Sequence, residues 1–180
     1  MKRPTISTGT GDDGMTGLLQ GERVPKSALR IHTLGTIDEL NAILGVVLSN
    51  EDVPEGLQSA LERVQRALFL VGADLATTAD SSGTHRLSAM FISELEQWGS
   101  DMEQTLPKLS RFILPGGSKV SALLHQARAV CRRAERWMVG LAKEEHVNPE
   151  AKVYLNRLSD CLFLAARIAN HEEALVEVEV

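Results

Sequence analysis

The chain has 180 residues, 43% of them hydrophobic and 24% charged, enough to bury a core as one domain and too apolar for wholesale disorder. A formal net charge of −5 argues against a general nucleic-acid surface. Aromatics are only 4% while Leu and Ala are abundant, which favours helix over sheet.

Residues 1–34 hold five glycines before position 22 and show no helical period, so they read as a loop region. Met1-Lys2-Arg3-Pro4 leads into no apolar run or cleavage signal. Thr36-Ile37-Asp38-Glu39 has capping-box form, and Leu40, Leu44, Val47 and Leu48 follow at helical spacing, predicting a first helix over 36–49. Behind Pro54, the residues Leu57, Leu61, Val64, Leu68, Val71 and Leu75 make a heptad seam, suited to packing within the chain or between subunits. Asp80–Thr84 reads as a loop. A third helix is expected over 88–105, with Leu95, Trp98 and Met102 on one side. Pro107 and Pro115-Gly116-Gly117 punctuate the chain around Phe112-Ile113-Leu114. Ser118 can cap a fourth helix over 118–144, whose apolar side includes Leu124, Ala127, Val130, Ala134, Trp137 and Met138. Asn148-Pro149 restarts the chain as a fifth helix reaching Asn170. The alternating tail Val176–Val180 is the one candidate strand. No stretch approaches the roughly 18 apolar residues of a membrane span, and Cys131 and Cys161 fall inside helical patterns as expected buried thiols. A soluble, cytoplasmic, all-α, five-helix up-and-down bundle is the simplest reading.

Gly9-Thr10-Gly11-Asp12-Asp13-Gly14 matches G-x-G-x-x-G but lacks the strand before it that a dinucleotide fold requires. Two readings remain: an ordinary chain terminus, or a nest of backbone N–H groups turned toward an anion. In the second, the carboxylates of Asp12 and Asp13 need a bound cation or a capping role. Lys26, held by Pro25, is either a surface lysine or a phosphate contact. On the fourth helix, Arg128, Arg132, Glu135 and Arg136 fall within about a 100° arc roughly opposite the apolar side, with Arg133 at its edge. Such a face is either solvated or, because guanidinium forks match phosphate oxygens, an anion site. Asn156 and Asp160 share a face of the fifth helix, where the amide can orient a ligand or neighbour and Asp160 can fix an arginine. The five histidines show no metal-ligand spacing, and no Ser-His-Asp arrangement can be argued.

The strings TGTGDDGMTGL, GERVPK, GTIDELNA, GADLAT, FILPGGS, ARAVCRRAERW and NPEAKVYLNRLSD occur in order from about residue 8 to 170. Together they resemble the ATP:cob(I)alamin adenosyltransferase family of propanediol-utilisation and mitochondrial cobalamin metabolism. The resemblance implies one bundle domain over 1–180 with an N-terminal ATP-binding loop over about 1–34, assembled as a homotrimer with sites between subunits. It implies that Co(I) of reduced cobalamin attacks the 5′ carbon of ATP, giving adenosylcobalamin and triphosphate with Mg²⁺ assisting. By the same resemblance, Thr8, Thr10, Gly11, Asp12, Gly14, Thr16 and Gly17 would wrap ATP. Lys26, Arg132 and Arg136 would hold the triphosphate, and Glu135 and Asn156 would help place nucleotide and metal; no residue is assigned as a dedicated metal ligand. Asp38 would pair with Arg128 across the interface on the cobalamin side, and Phe112 would press on the lower face of the corrin, excluding the lower axial ligand. A reductase and an adenosylcobalamin-dependent enzyme are the further partners implied. The sequence departs from the family at Gly9, usually Lys or Arg, and at Leu34, often aromatic. Gly9 keeps open a non-catalytic trimer that binds ATP or cobalamin and delivers adenosylcobalamin.

Overall fold

The computed structural model describes residues 9–19, 21–77 and 86–180; Thr8 and the expected Asp80–Thr84 loop lie outside them. Two short strands, β1 (Met15–Gly17) and β2 (Arg23–Pro25), precede five helices: α1 (Leu29–Leu48), α2 (Glu55–Leu75), α3 (Ala89–Thr105), α4 (Lys119–Leu141) and α5 (Pro149–Glu172). The helix pairs in closest contact are α4 with α5, α1 with α4, α3 with α5 and α1 with α2. The sheet-free core between them is built from Leu, Val and Ala on the inward face of every helix.

The heptad seam of α2 is spent within the chain: Leu57, Leu61, Val64, Leu68, Val71 and Leu75 are all buried. At about 1.5–3 kcal/mol for each fully buried aliphatic side chain, this seam is a major contributor to the fold. Ser118 caps α4 by accepting from the Ser121 N–H (3.1 Å), and Asn148 caps α5 by accepting from the Glu150 N–H (3.0 Å), as the sequence indicated.

Three expectations are corrected. Helix α1 begins at Leu29, not near Thr36. Thr36 is no cap: its hydroxyl donates back to the His32 carbonyl inside the helix (2.7 Å). The first turns of α1 bury Arg30, Thr33 and Thr36, polar residues that a hydrophobic period does not register. The segment before α1 is also more than a loop, since β1 and β2 pair antiparallel, Thr16 opposite Val24; strands of three residues are too short to show alternation. Finally, α1 is long and apolar enough by composition to cross a membrane; here it packs against α2 and α4.

Polar ties gather at one end of the bundle. Arg30, 3% exposed, donates to Glu145 Oε2 (2.7 Å), to the Leu75 carbonyl at the end of α2 (2.7 Å) and to the His146 carbonyl (3.2 Å). Nearby, Asp74 accepts from Asn148 Nδ2 (2.6 Å) and the Leu87 N–H (3.2 Å). The start of α1, the end of α2 and the α4–α5 connection are thereby fastened together. The hairpin sits on this end, because the Leu19 N–H donates to the Ala76 carbonyl (3.0 Å).

Candidate active site

The glycine-rich segment is folded onto the hairpin. Asp12 N–H donates to the Gly9 carbonyl (3.3 Å), Gly14 N–H to the Gly11 carbonyl (3.2 Å), and Lys26 N–H to the Gly14 carbonyl (2.8 Å). Of the two carboxylates, Asp13 takes the capping role: it accepts from the Met15 N–H (3.0 Å) and from Arg23 Nη2 (3.0 Å). Arg23 also donates to the Thr10 carbonyl. The Lys26 ammonium lies over Gly11, 3.1 Å from where a side-chain carbon there would stand. Exposed Thr10, Asp12, Gly14 and Gly17, with half-buried Gly11 and Thr16, thus line a turn that carries a cation above an open backbone. Gly9, where the family's basic residue is missing, has φ 69°, a left-handed conformation that costs any L side chain about 1–2 kcal/mol.

The arginines of α4 divide between two neighbours. Arg133 forms an ion pair with Glu39 of α1. Glu135 accepts from Asn156 Nδ2 of α5 (2.8 Å), and Asn156 Oδ1 accepts from Arg157 Nη1 (3.0 Å), whose Nε donates to Glu96 of α3 (2.9 Å). The amide is therefore oriented from both sides, by a network of which the sequence singled out Asn156 and Glu135 but not Arg157 or Glu96. Arg128 and Arg132 line a groove of about 910 Å³ between the end of α3, α4 and α5, with Asp160, Phe163 and Arg167 among its other walls. Among the described residues Asp160 forms no ion pair, contrary to expectation, and Arg128 Nε is buried without a hydrogen-bond partner. Exposed Arg136 donates to the Arg132 carbonyl of its own helix (3.1 Å).

Asp38 is exposed on α1 and borders a different groove, beside Leu34 and Phe69; it does not meet Arg128 within the chain. Phe112 stands just before α4 and is 87% exposed. Below it, Gly117 (φ 100°) lies against Asn170 so closely that a methyl group there would collide with the amide. Asn170 Oδ1 accepts from the Ser118 N–H (3.0 Å) and its Nδ2 donates to the Gly116 carbonyl (3.0 Å).

Cys131 and Cys161 are free and buried, and burial pushes both thiols well above their ordinary range. Among the described residues no group of three or more His, Cys, Asp or Glu side chains is placed to hold a metal. What remains is a cationic turn, an arginine-lined helix and an exposed phenylalanine.

Residues 6–169 match the family model described as cobalamin adenosyltransferase. The chain belongs to the cobalamin adenosyltransferase family. It is 45% identical over 165 residues to the cobalamin adenosyltransferase of Cupriavidus metallidurans, covering 92% of this chain and 88% of that one. It is 42% identical to the human corrinoid adenosyltransferase MMAB, covering 94% and 70%. A phenylalanine-to-alanine variant of a PduO-type ATP:corrinoid adenosyltransferase from Lactobacillus reuteri, complexed with cobalamin and ATP, superposes with a TM-score of 0.91 at 36% identity over 98% of this chain and 99% of that one. A lysine-for-arginine variant of the Lactobacillus reuteri enzyme, complexed with ATP, gives 0.90 at 37% identity over 97% and 99%. This five-helix adenosyltransferase is an enzyme that transfers the adenosyl group of ATP to cobalamin.

Proposed function

We propose that the transfer takes place at sites shared between adjacent copies of a homotrimer, in the cytoplasm. One copy supplies the turn with Thr10, Gly11, Asp12, Gly14, Thr16, Gly17 and Lys26, together with Thr8 and Asp38. Its neighbour supplies Arg128, Arg132, Glu135, Arg136, Asn156 and Phe112. The observation that carries this reading is the length of α4. The turn is attached where α2 ends and α4 leads into α5, whereas Phe112 precedes the start of α4. The 23 residues of α4 separate those ends by about 34 Å, farther than the triphosphate and the 5′ carbon of one nucleotide can reach. The unpaired Nε of Arg128 and the exposed carboxylate of Asp38 fit as partners supplied by different copies.

In this site the Co(I) lone pair forms a bond to C5′ of ATP. The C5′–O bond breaks, and its electrons leave with the triphosphate. Lys26, Arg132 and Arg136 stabilise the charge developing on that leaving group. Glu135, held by Asn156, places the nucleotide. Mg²⁺ ordinarily takes one or two carboxylates plus phosphates and water, and this fits Asp12 and Glu135, since no group of three or more metal-ligating side chains occurs among the described residues; bound there, it would neutralise phosphate charge. Phe112 packs beneath the corrin, keeps the lower axial ligand away and eases reduction of Co(II). No general base is needed, because no proton is removed from the nucleophile. A reductase supplying Co(I) and an adenosylcobalamin-dependent enzyme receiving the product complete the sequence.

Anaerobic incubation with cob(I)alamin, ATP and Mg²⁺, followed by product analysis, tests the reading. Adenosylcobalamin and triphosphate are expected in equal amounts. An ATP-dependent rise in Tm without product would instead identify a nucleotide-binding carrier.

A further inference from the structure

The strand-like tail anticipated at Val176–Val180 is present, and its partner is the Phe112 segment. Leu114 N–H donates to the Val178 carbonyl and Val180 N–H to the Phe112 carbonyl, both at 2.9 Å, with Ile113 opposite Glu179 in an antiparallel bridge. In this register Phe112 faces Val180 and Leu114 faces Val178, so all four side chains project to one side. All four are exposed.

Two ion pairs touch the tail: an exposed one between Arg111 and Glu179 at 4.0 Å, which solvent screens, and a far less exposed one between Arg167 and Glu177. Arg167 of α5 is 4% exposed, and its Nε donates to both carboxylate oxygens of Glu177 at 3.0 Å. Arg167 Nη2 donates to the Pro107 carbonyl on the α3–α4 connection (2.9 Å). Glu177 itself is largely buried. One guanidinium thus joins the tail, α5 and the chain entering the Phe112 segment. The other anchor, Asn170, grips only Gly116 and Ser118; upstream of Pro115 the backbone hydrogen bonds go to the tail.

We propose that Glu177 is a positioning residue for adenosyl transfer: its pairing with Arg167 locks the C-terminal strand in register, and that strand fixes the backbone that presents Phe112 to the corrin. This rests on the role proposed for Phe112. Misplacing a reacting-site group by about 1 Å can cost on the order of a hundredfold in rate, so a loosened tail should be felt in the step that uses Phe112 and not in ATP capture.

The test compares wild type, Phe112→Ala, Glu177→Gln and a chain ending at Leu175. Each is assayed with ATP and either pre-reduced cob(I)alamin or cob(II)alamin plus a chemical one-electron reductant. ATP affinity and the absorption and EPR spectra of bound Co(II) are recorded alongside. The two tail variants should keep ATP affinity within about twofold, the scatter expected of independent sites. They should lose the spectrum of Co(II) without a lower axial ligand, and slow the Co(II) route by about tenfold or more while sparing the Co(I) route. Added to Phe112→Ala, truncation should have little further effect. If Phe112→Ala leaves the Co(II) route unchanged, the role of Phe112 itself falls. If Phe112→Ala slows that route and the tail variants do not, the role of Glu177 alone falls. Equal losses in ATP affinity and both routes would reduce the tail to general support, and a full extra loss on top of Phe112→Ala would mean that it acts independently of Phe112; either overturns the proposal.

Discussion

His125 and Arg128 sit on successive turns of α4, and both bury nitrogens without partners among the described residues. Burial of the His125 imidazole, with the Arg128 charge second, lowers its pKa from 6.5 to about 4. Because the folded value is depressed, this residue's contribution to stability is complete above pH 6.5. It is lost as pH falls toward 4, where the unfolded chain binds a proton that the folded chain resists. Urea unfolding of wild type and His125→Leu between pH 4 and 7 should show the wild-type stability falling more steeply with acid; parallel curves would contradict the assignment. Gly9 illustrates the limits of reading single residues. Its identity suggested only a missing cation. Its φ of 69° shows a turn that favours glycine, while Arg23 and Lys26 bring positive charge to the same loop from the next strand.

Among the elements, the tail depends on how α5 ends. Leu175 N–H donates to the Asn170 carbonyl (2.9 Å) and Ala174 N–H to the His171 carbonyl (3.0 Å), the paired bonds of a Schellman motif. The left-handed position belongs to Ala174, with φ 53°, where glycine is usual. Ala174→Gly should therefore raise stability by about 0.5–1 kcal/mol, a Tm gain of about 1–4 °C for a domain of this size, measurable by thermal unfolding; a lower Tm would show that the turn is not strained. Helices α2 to α5 were legible because their stripes are apolar and their starts carry Pro54, Ser118 and Asn148. The start of α1 was not, because Arg30 is buried by hydrogen bonds to partners elsewhere in the chain, and Thr33 and Thr36 by donating to carbonyls one turn back in their own helix. Arg157 and Arg167 were hidden for a related reason: an arginine with side-chain partners, whether exposed like Arg157 or buried like Arg167, has the same letter as a solvated one. The tail's alternation was visible, but pairing with Phe112 is a long-range fact that alternation does not encode.

At the scale of the whole molecule, a site divided between copies can be rebuilt from two defective chains. Lys26→Ala and Arg132→Ala damage opposite halves of the proposed site. Co-expressed at equal amounts, they should recover about a quarter of wild-type activity, since one interface in four of a randomly mixed cyclic trimer joins two intact halves. Mixing the separately assembled variants without exchange should recover none. Recovery equal to the sum of the two variants alone would place the whole site in one chain. The same reading gives the end staple of Arg30, Asp74 and Asn148 a further consequence. By fastening the Lys26 turn to the far end of the bundle from its own Phe112, it would leave an isolated chain with two half-sites out of reach of each other. The leaving triphosphate is then released only when a neighbouring copy supplies a cobalt to accept the adenosyl group, so ATP consumption is coupled to product formation by geometry alone.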